Sequence, residues 1–434
     1  MTCFPARHNI GTIGVFSVYT VMSPQLFLFA SGSNARGQLA SGTLEDSHTF
    51  TTCTFQGSPN TRRILDIASG SNYALALIET EGQVELWGCG DGSRGQLGPS
   101  YPHKVNGVEC SVFRPLDLPL ERYGLEGYKY QLIASAWETC YLVLTSEGKG
   151  DVVVSMGADD FGDLGIGGSS NGKGKTRPLP LNIINFEHLA IRGEKIDTGT
   201  FHIELLSAGP HHIVAHARCQ LDSSLEYFTI GWGASRQGQL GLAHTFVATP
   251  RIVPIAKDRV ISSALGNQHS IFLHASGHIS YLGSNKKGQL NDLNTLKDVQ
   301  EVGSSWYGSY AIVKSEDGDT RIFATGSHEK GQLGRHISNG IMPAPSTGNF
   351  SDLPTSLRLT KMACGSEHVL SLFSTEQGAT EVWGWGWNEH GNLGVSDTND
   401  VRIPRKIWPR SGEEMGKVVG IWAGCGTSWI AVER

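Results

Sequence analysis

From residue 25 to the end, short apolar runs alternate with turns rich in glycine, serine and asparagine. Residues 64–68 form one run, and the turn Ser69-Gly70-Ser71-Asn72 leads to a second at 73–78. A Glu81-Gly82 turn then gives a third run at 83–88, which enters another glycine turn. Runs this short, rich in Val, Ile, Leu and aromatics and punctuated by glycine, predict β-strands. No segment combines the length and the 3.6-residue period of a long helix, so the predicted class is all-β.

The turns repeat. The pattern Gly, four residues, Gly, amide, Leu occurs seven times, at 32–39, 90–97, 157–164, 233–240, 283–290, 326–333 and 386–393. In the third copy Asp163 replaces the amide. Self-similarity at this level defines an internal repeat, and repeats of this kind form one body. The second glycines recur on average about 59 residues apart, which suits a four-stranded blade with room for insertions. A second signature, a small residue and a glycine turn, precedes each second strand. It ends in histidine at His212, His269 and His368, with Tyr73, Thr139, Trp306 and Thr427 at or near that place in the other copies. The chain finishes with runs at 421–425 and 429–432, two inner strands with no third, while 26–30 is a third strand with no inner pair. Each supplies what the other lacks. The prediction is a seven-bladed β-propeller over residues 25–434, closed by the N-terminal strand completing the last blade and so hiding a sheet edge.

Residues 1–24 are expected to be a disordered extension. The run at 10–22 has the general shape of a signal peptide but is too polar and lacks a clean cleavage site, and Met22 is an alternative start. The insertions at 99–127 and 165–194 are expected to be partner loops or disorder. The formal net charge of −6 argues against a nucleic-acid surface as the main site. Eight scattered cysteines without a C-x-x-C pair read as reduced thiols of an intracellular protein, cytoplasmic or nuclear.

The alternation of Gly-x4-Gly-Gln-Leu-Gly with Gly-x-x-His is similar to the RCC1 repeat, the unit of a seven-bladed propeller, and covers nearly everything from Leu26 onward. Gly after Leu is missing twice, at Ala40 and Asn291. The stretch Trp383-Gly-Trp-Gly-Trp-Asn-Glu-His-Gly-Asn392 resembles the fungal α-tubulin suppressor branch. That resemblance implies a small zinc-binding partner protein that serves diphthamide synthesis on elongation factor 2 and Elongator-dependent modification of wobble uridine in tRNA, with the redox chemistry belonging to the partner. The alternative within the family is guanine nucleotide exchange on a Ran-type small GTPase. Against it, residues 1–21 carry one Arg and no Lys, so the basic tail of the founding member is absent. The plant ultraviolet receptor shares the repeat, but its Gly-Trp-Arg-His-Thr motif is missing here.

No Walker loop, G-x-S-x-G elbow or kinase set is present, and the adjacent acids Asp159-Asp160 and Glu413-Glu414 are not opposed across a cleft. His212 and His216 are four apart on a strand, a spacing read as structural rather than metal-binding. The chain is therefore expected to be non-enzymatic, with no cofactor, metal, membrane or direct nucleic-acid partner, and to be a monomeric propeller. Candidate contact residues are those that break the repeat. Trp387 is large where the other copies have Ser33, Asp91, Ala158, Ala234, Ser284 or Ser327. With Asn388, Glu389 and His390 it forms one candidate group. Trp137, Trp306 and Tyr307 are outliers in the inner turns, on the same expected rim. An aromatic patch there suits a protein partner. Trp385 matches Trp232 in register and is assigned to the core.

Overall fold

The computed structural model describes residues 25–57, 63–102, 104–105, 108–167, 180–221, 224–242, 245–314, 320–335, 346–347, 357–409 and 416–434. The extension at 1–24 and residues 168–179 of the second insertion lie outside the described residues.

The second strand of each repeat is largely apolar because both of its faces are covered. Tyr73–Ile78, for example, is buried at every position. Successive side chains on such a strand point to opposite faces, and here each face meets a neighbouring blade. The core is accordingly divided into seven hydrophobic clusters, one per seam.

Seven antiparallel sheets surround a central channel. Blade 1 comprises Arg63–Ser69, Tyr73–Thr80, Gln83–Gly90 and Arg114–Pro115; blade 2 comprises Lys129–Ser135, Thr139–Thr145, Val152–Gly157 and Asn182–Ile183. Blade 3 is His202–Ala208, His212–Leu221, Ser224–Ala234 and Phe246–Ile252, and blade 4 has three strands, Val260–Leu265, His269–His274 and Ile279–Gly283. Blade 5 is Val299–Ser304, Gly308–Lys314, Thr320–Gly326 and Ser346–Thr347, and blade 6 is Arg358–Cys364, His368–Ser374, Thr380–Gly386 and Val401–Trp408.

Blade 7 is composite, with Lys417–Ala423 and Thr427–Glu433 continued by Leu26–Gly32 and Ser47–Thr52. The junction pairs Leu26 with Glu433 through to Gly32 with Thr427, without a bulge. Gln25 and Arg434 extend it by exchanging N–H···O bonds of 2.9 and 3.0 Å. The closure predicted from the unmatched end strands is thus the one formed.

The first insertion is packed rather than loose: Phe113, Leu116, Leu118 and Leu125 are buried, the last three in the seam between blades 1 and 2. In the described part of the second, Ile184, Phe186 and Leu189 enter the seam between blades 2 and 3, joined by Ile196 just after it. One register assignment is corrected. In blade 5 the partner of Gly326 is Gly308, as His269 is of Gly283. Gly308, not Trp306, therefore holds the histidine place, and Ser305 holds the place of the turn glycine.

Candidate partner-binding rim

Both repeat signatures meet on one face. The residue after each loop glycine donates its N–H to the carbonyl of the third residue in the adjoining inner turn, in all seven blades. Asp91 gives to Asn72 and Trp387 to Glu367, both at 2.9 Å, and Ser33 gives to Gly426 at 2.8 Å. This close approach explains the glycine: Gly386 has φ +104°, and a Cβ there would stand 2.5 Å from the Glu367 carbonyl oxygen. The loop amides are spent on the loop itself. Gln38, Gln96, Gln239, Gln289 and Gln332 each accept the backbone N–H two residues before them.

The signature histidines tie blades together. His212, His269 and His368 meet the Ser270, Ser309 and Ser428 hydroxyls of the following blade at 2.9–3.0 Å. Burial lowers their pKa to about 3 for His212 and about 4 for the other two, so they stay neutral. Tyr73 performs the same bridging through its hydroxyl, which donates to the Thr139 carbonyl at 2.7 Å. His216 lies between Thr229 and Ser263 at 2.8 and 2.9 Å, a hydrogen-bonded structural histidine. Trp232 and Trp385 are core, and their indole N–H groups donate to the carbonyls of Asp163 and Gln332.

The inner turns surround the channel mouth, and their backbones are cross-linked. The N–H groups of Ser71, Trp137, Asn267 and Trp306 donate to the carbonyls of Trp137, Pro210, Trp306 and Ser366 in the next blade. Trp137 and Trp306 occupy the same place in their turns, the one held elsewhere by Ser71, Pro210, Asn267, Ser366 and Cys425. They belong to blades 2 and 5, opposite one another in the ring, and their rings meet with centroids 6.0 Å apart, tilted by 47°. Both are half-buried. Beneath them is a cavity of about 330 Å³ lined by residues from all seven blades. His211 joins this cluster, 6.4 Å from Trp137 and 4.7 Å from Phe161. Tyr307 accepts a 2.8 Å hydrogen bond from Asn267 on its hydroxyl.

The second candidate group lies beside the first. Trp306 is bonded to Ser366 and Trp387 to the adjacent Glu367, so the inner turn of blade 6 separates the two. The Trp387 ring is half-buried and packs edge-on against His390 at 5.3 Å, with both rings against Gly426. Glu389 is exposed and paired with Lys330, whose hydrogen bond holds the carboxyl below the usual carboxylate range. His390 Nδ1 lies 2.7 Å from Asp46 and so spans the seam between blades 6 and 7. Asn388 does not contribute to a contact surface. It is fully buried, its Oδ1 accepts the Leu393 N–H at 2.8 Å, and its amide donates to Asp397. Asn34 and Asn285 make the same leucine bond in their own loops.

Sequence reasoning missed two residues. Phe161 is 41% exposed where other loops carry Arg36, Arg94, Gln237, Lys287, Lys330 or His390, a substitution visible in the repeat alignment. Glu301 lines the cavity, and nothing in the repeat marks it. The seven described cysteines are free, and burial raises the thiol of Cys425, beside the cavity, to about 11. Among the described residues there is no cluster of His, Cys, Asp and Glu suited to a metal ion, and no helix is long and apolar enough to cross a membrane.

The model of the Regulator of chromosome condensation (RCC1) repeat matches residues 230–273 and 381–430. An RCC1 repeat-containing protein of Schizosaccharomyces pombe is 25% identical over 94% of this chain and 99% of its own length. The bovine secretion-regulating guanine nucleotide exchange factor is 26% identical over 92% of this chain and 81% of its own. The crystal structure of human WBSCR16 is 17% identical, covers 95% of this chain and 99% of that one, and superposes with a TM-score of 0.70. The repeats, their seven-fold geometry and the structural likeness agree on the fold: the chain is a seven-bladed β-propeller, and two of its segments match the RCC1 repeat.

Proposed function

We propose that the rim carrying both repeat signatures docks a partner protein, and that the chain acts by binding rather than by catalysis. The observation that carries this is the Trp137–Trp306 pair, two large half-buried indoles brought together where the other blades place Ser, Pro, Asn or Cys. Tryptophan is the residue most enriched in the energetic centres of protein interfaces. Tyr307, Phe161 and the Trp387–His390 loop extend the same face.

The partner proposed is the small zinc-binding protein of diphthamide synthesis and Elongator-dependent wobble-uridine modification, with the propeller as its adaptor. Support comes from the Trp383–Asn392 stretch and from the end-to-end likeness to a fission-yeast repeat protein. A second reading, nucleotide exchange on a small GTPase, is favoured by the likeness to a bovine protein named as an exchange factor. It would require tighter binding to the nucleotide-free GTPase than to the loaded one.

Calorimetric titration with the zinc-loaded partner, and separately with nucleotide-free Ran, decides between them. Binding to the first alone, weakened by Trp306→Ala and Trp387→Ala in folded protein, is the expected result. Binding to Ran with accelerated nucleotide release would replace the adaptor reading with exchange. Full affinity in both tryptophan variants would remove the rim from either.

A further inference from the structure

The cavity under the tryptophan pair contains a carboxyl group with no partner. Glu301, on the inner strand of blade 5, lines it and makes no hydrogen bond or ion pair among the described residues. Burial pushes its pKa up, partly offset by Lys361. Lys361 is shared: its ammonium sits 5.1 Å over the Trp422 ring and also acts on Asp66, which accepts the Trp422 indole N–H at 2.9 Å. Two carboxyls thus share one ammonium.

The mouth above has the same bias. The inner turns carry Glu138 and Glu367 but no lysine or arginine. Arg94 engages Glu138 at 3.3 Å, and burial raises the pKa of Glu367. Indole faces attract cations through their quadrupole, more strongly where water is excluded. The cavity is near the lower end of the roughly 300–1,000 Å³ typical of ligand sites, which fits one slender chain better than a fused-ring cofactor. The Ser366 hydroxyl, in a residue 4% exposed on the cavity wall, has no oxygen or nitrogen partner.

We infer that the channel mouth receives a cationic side chain, lysine or arginine, from the docked partner. The chain enters beside the Trp137–Trp306 pair and directs its charge at Glu301. Insertion supplies the missing positive charge and sets the indole faces against the aliphatic stem and head group. This rests on the docking reading and adds to it the chemistry of the residue that anchors the partner.

The test uses the whole chain with its indoles labelled for NMR. The probes are blocked Gly-Gly-Lys-Gly-Gly and Gly-Gly-Arg-Gly-Gly, with acetyl-lysine and norleucine versions as controls. The expected result is saturable shifts of the Trp137 and Trp306 indole signals with at least one cationic peptide. The neutral versions should bind at least tenfold more weakly, and the isosteric Glu301→Gln should weaken the cationic peptide by about tenfold. Equal binding of norleucine, no indole shift with either cationic peptide, or full affinity in Glu301→Gln overturns the inference. Partner titration separates the two levels. If Trp306→Ala abolishes partner binding while Glu301→Gln leaves it unchanged, docking stands and cation insertion falls. If neither variant matters, both fall.

Discussion

Four buried neutral histidines should make this ring acid-sensitive well above the carboxylate range. Burial depresses His212 and His216 to about 3 and His269 and His368 to about 4, from an ordinary value of 6.5. With the folded pKa below the unfolded one, the unfolded chain binds more protons between those values. Stability from these groups is complete above pH 6.5 and lost as pH falls toward 4. At pH 5 each histidine removes about 2 kcal/mol, or about 8 kcal/mol for the four, against a total of about 5–15 kcal/mol for a typical domain. Asp66, Asp163, Glu301 and Glu367 act in the opposite direction, because burial raises their pKa and the folded state takes up protons more readily there. The net loss from pH 7.5 to 5 is therefore expected to lie below that sum. Urea unfolding followed by tryptophan fluorescence across this range measures it. His269→Gln isolates one site. It should be less stable than wild type at pH 7.5, but its loss on going to pH 5 should be smaller by about 2 kcal/mol. Equal pH dependence in variant and wild type would refute the buried-neutral assignment.

Other outcomes follow from particular contacts. Gly386→Ala forces a Cβ to 2.5 Å from the Glu367 oxygen at φ +104° and should cost about 1–3 kcal/mol, read as a lower urea midpoint. Tyr73→Phe removes the bond to the Thr139 carbonyl and should cost about 1 kcal/mol in the same assay, since that carbonyl still accepts the Ala136 N–H. Deleting residues 1–31 removes the third strand of blade 7 and exposes the Thr427–Glu433 edge, so soluble monomer yield should collapse in size-exclusion chromatography. Trp387→Ala should leave the melting temperature within a few degrees of wild type, because its ring is only half-buried, while weakening partner binding.

The ring was legible because the repeat encodes it redundantly. Each blade announces its second strand by its largely apolar character and its loop by two glycines, and the composite blade announced itself through unmatched strands at both ends. Blade 5 was misread by two residues because Ser305 takes the glycine place of its turn, leaving Gly303 as a decoy. The meeting of Trp137 with Trp306 could not be read from spacing. They lie three blades apart and come together only because both turns lean over the same channel. Asn388 was misjudged for a related reason: an asparagine beside a prominent tryptophan looks exposed, yet its amide is what shapes the loop. Glu301 gave no signal, since a single acid on an inner strand is ordinary until the cavity beside it is seen.

The pairing of Leu26–Gly32 with Thr427–Glu433 also constrains how the protein is made. The ribosome delivers the chain from the N-terminus, and local hairpins in the early blades can zip as they emerge. Strand Leu26–Gly32 must nevertheless wait, unpaired along one edge, until its distant partner Thr427–Glu433 has been released. Throughout translation that edge is an open template for any other strand. A cell that makes this ring must either guard the waiting strand or complete the chain quickly, and a stalled ribosome would leave it exposed.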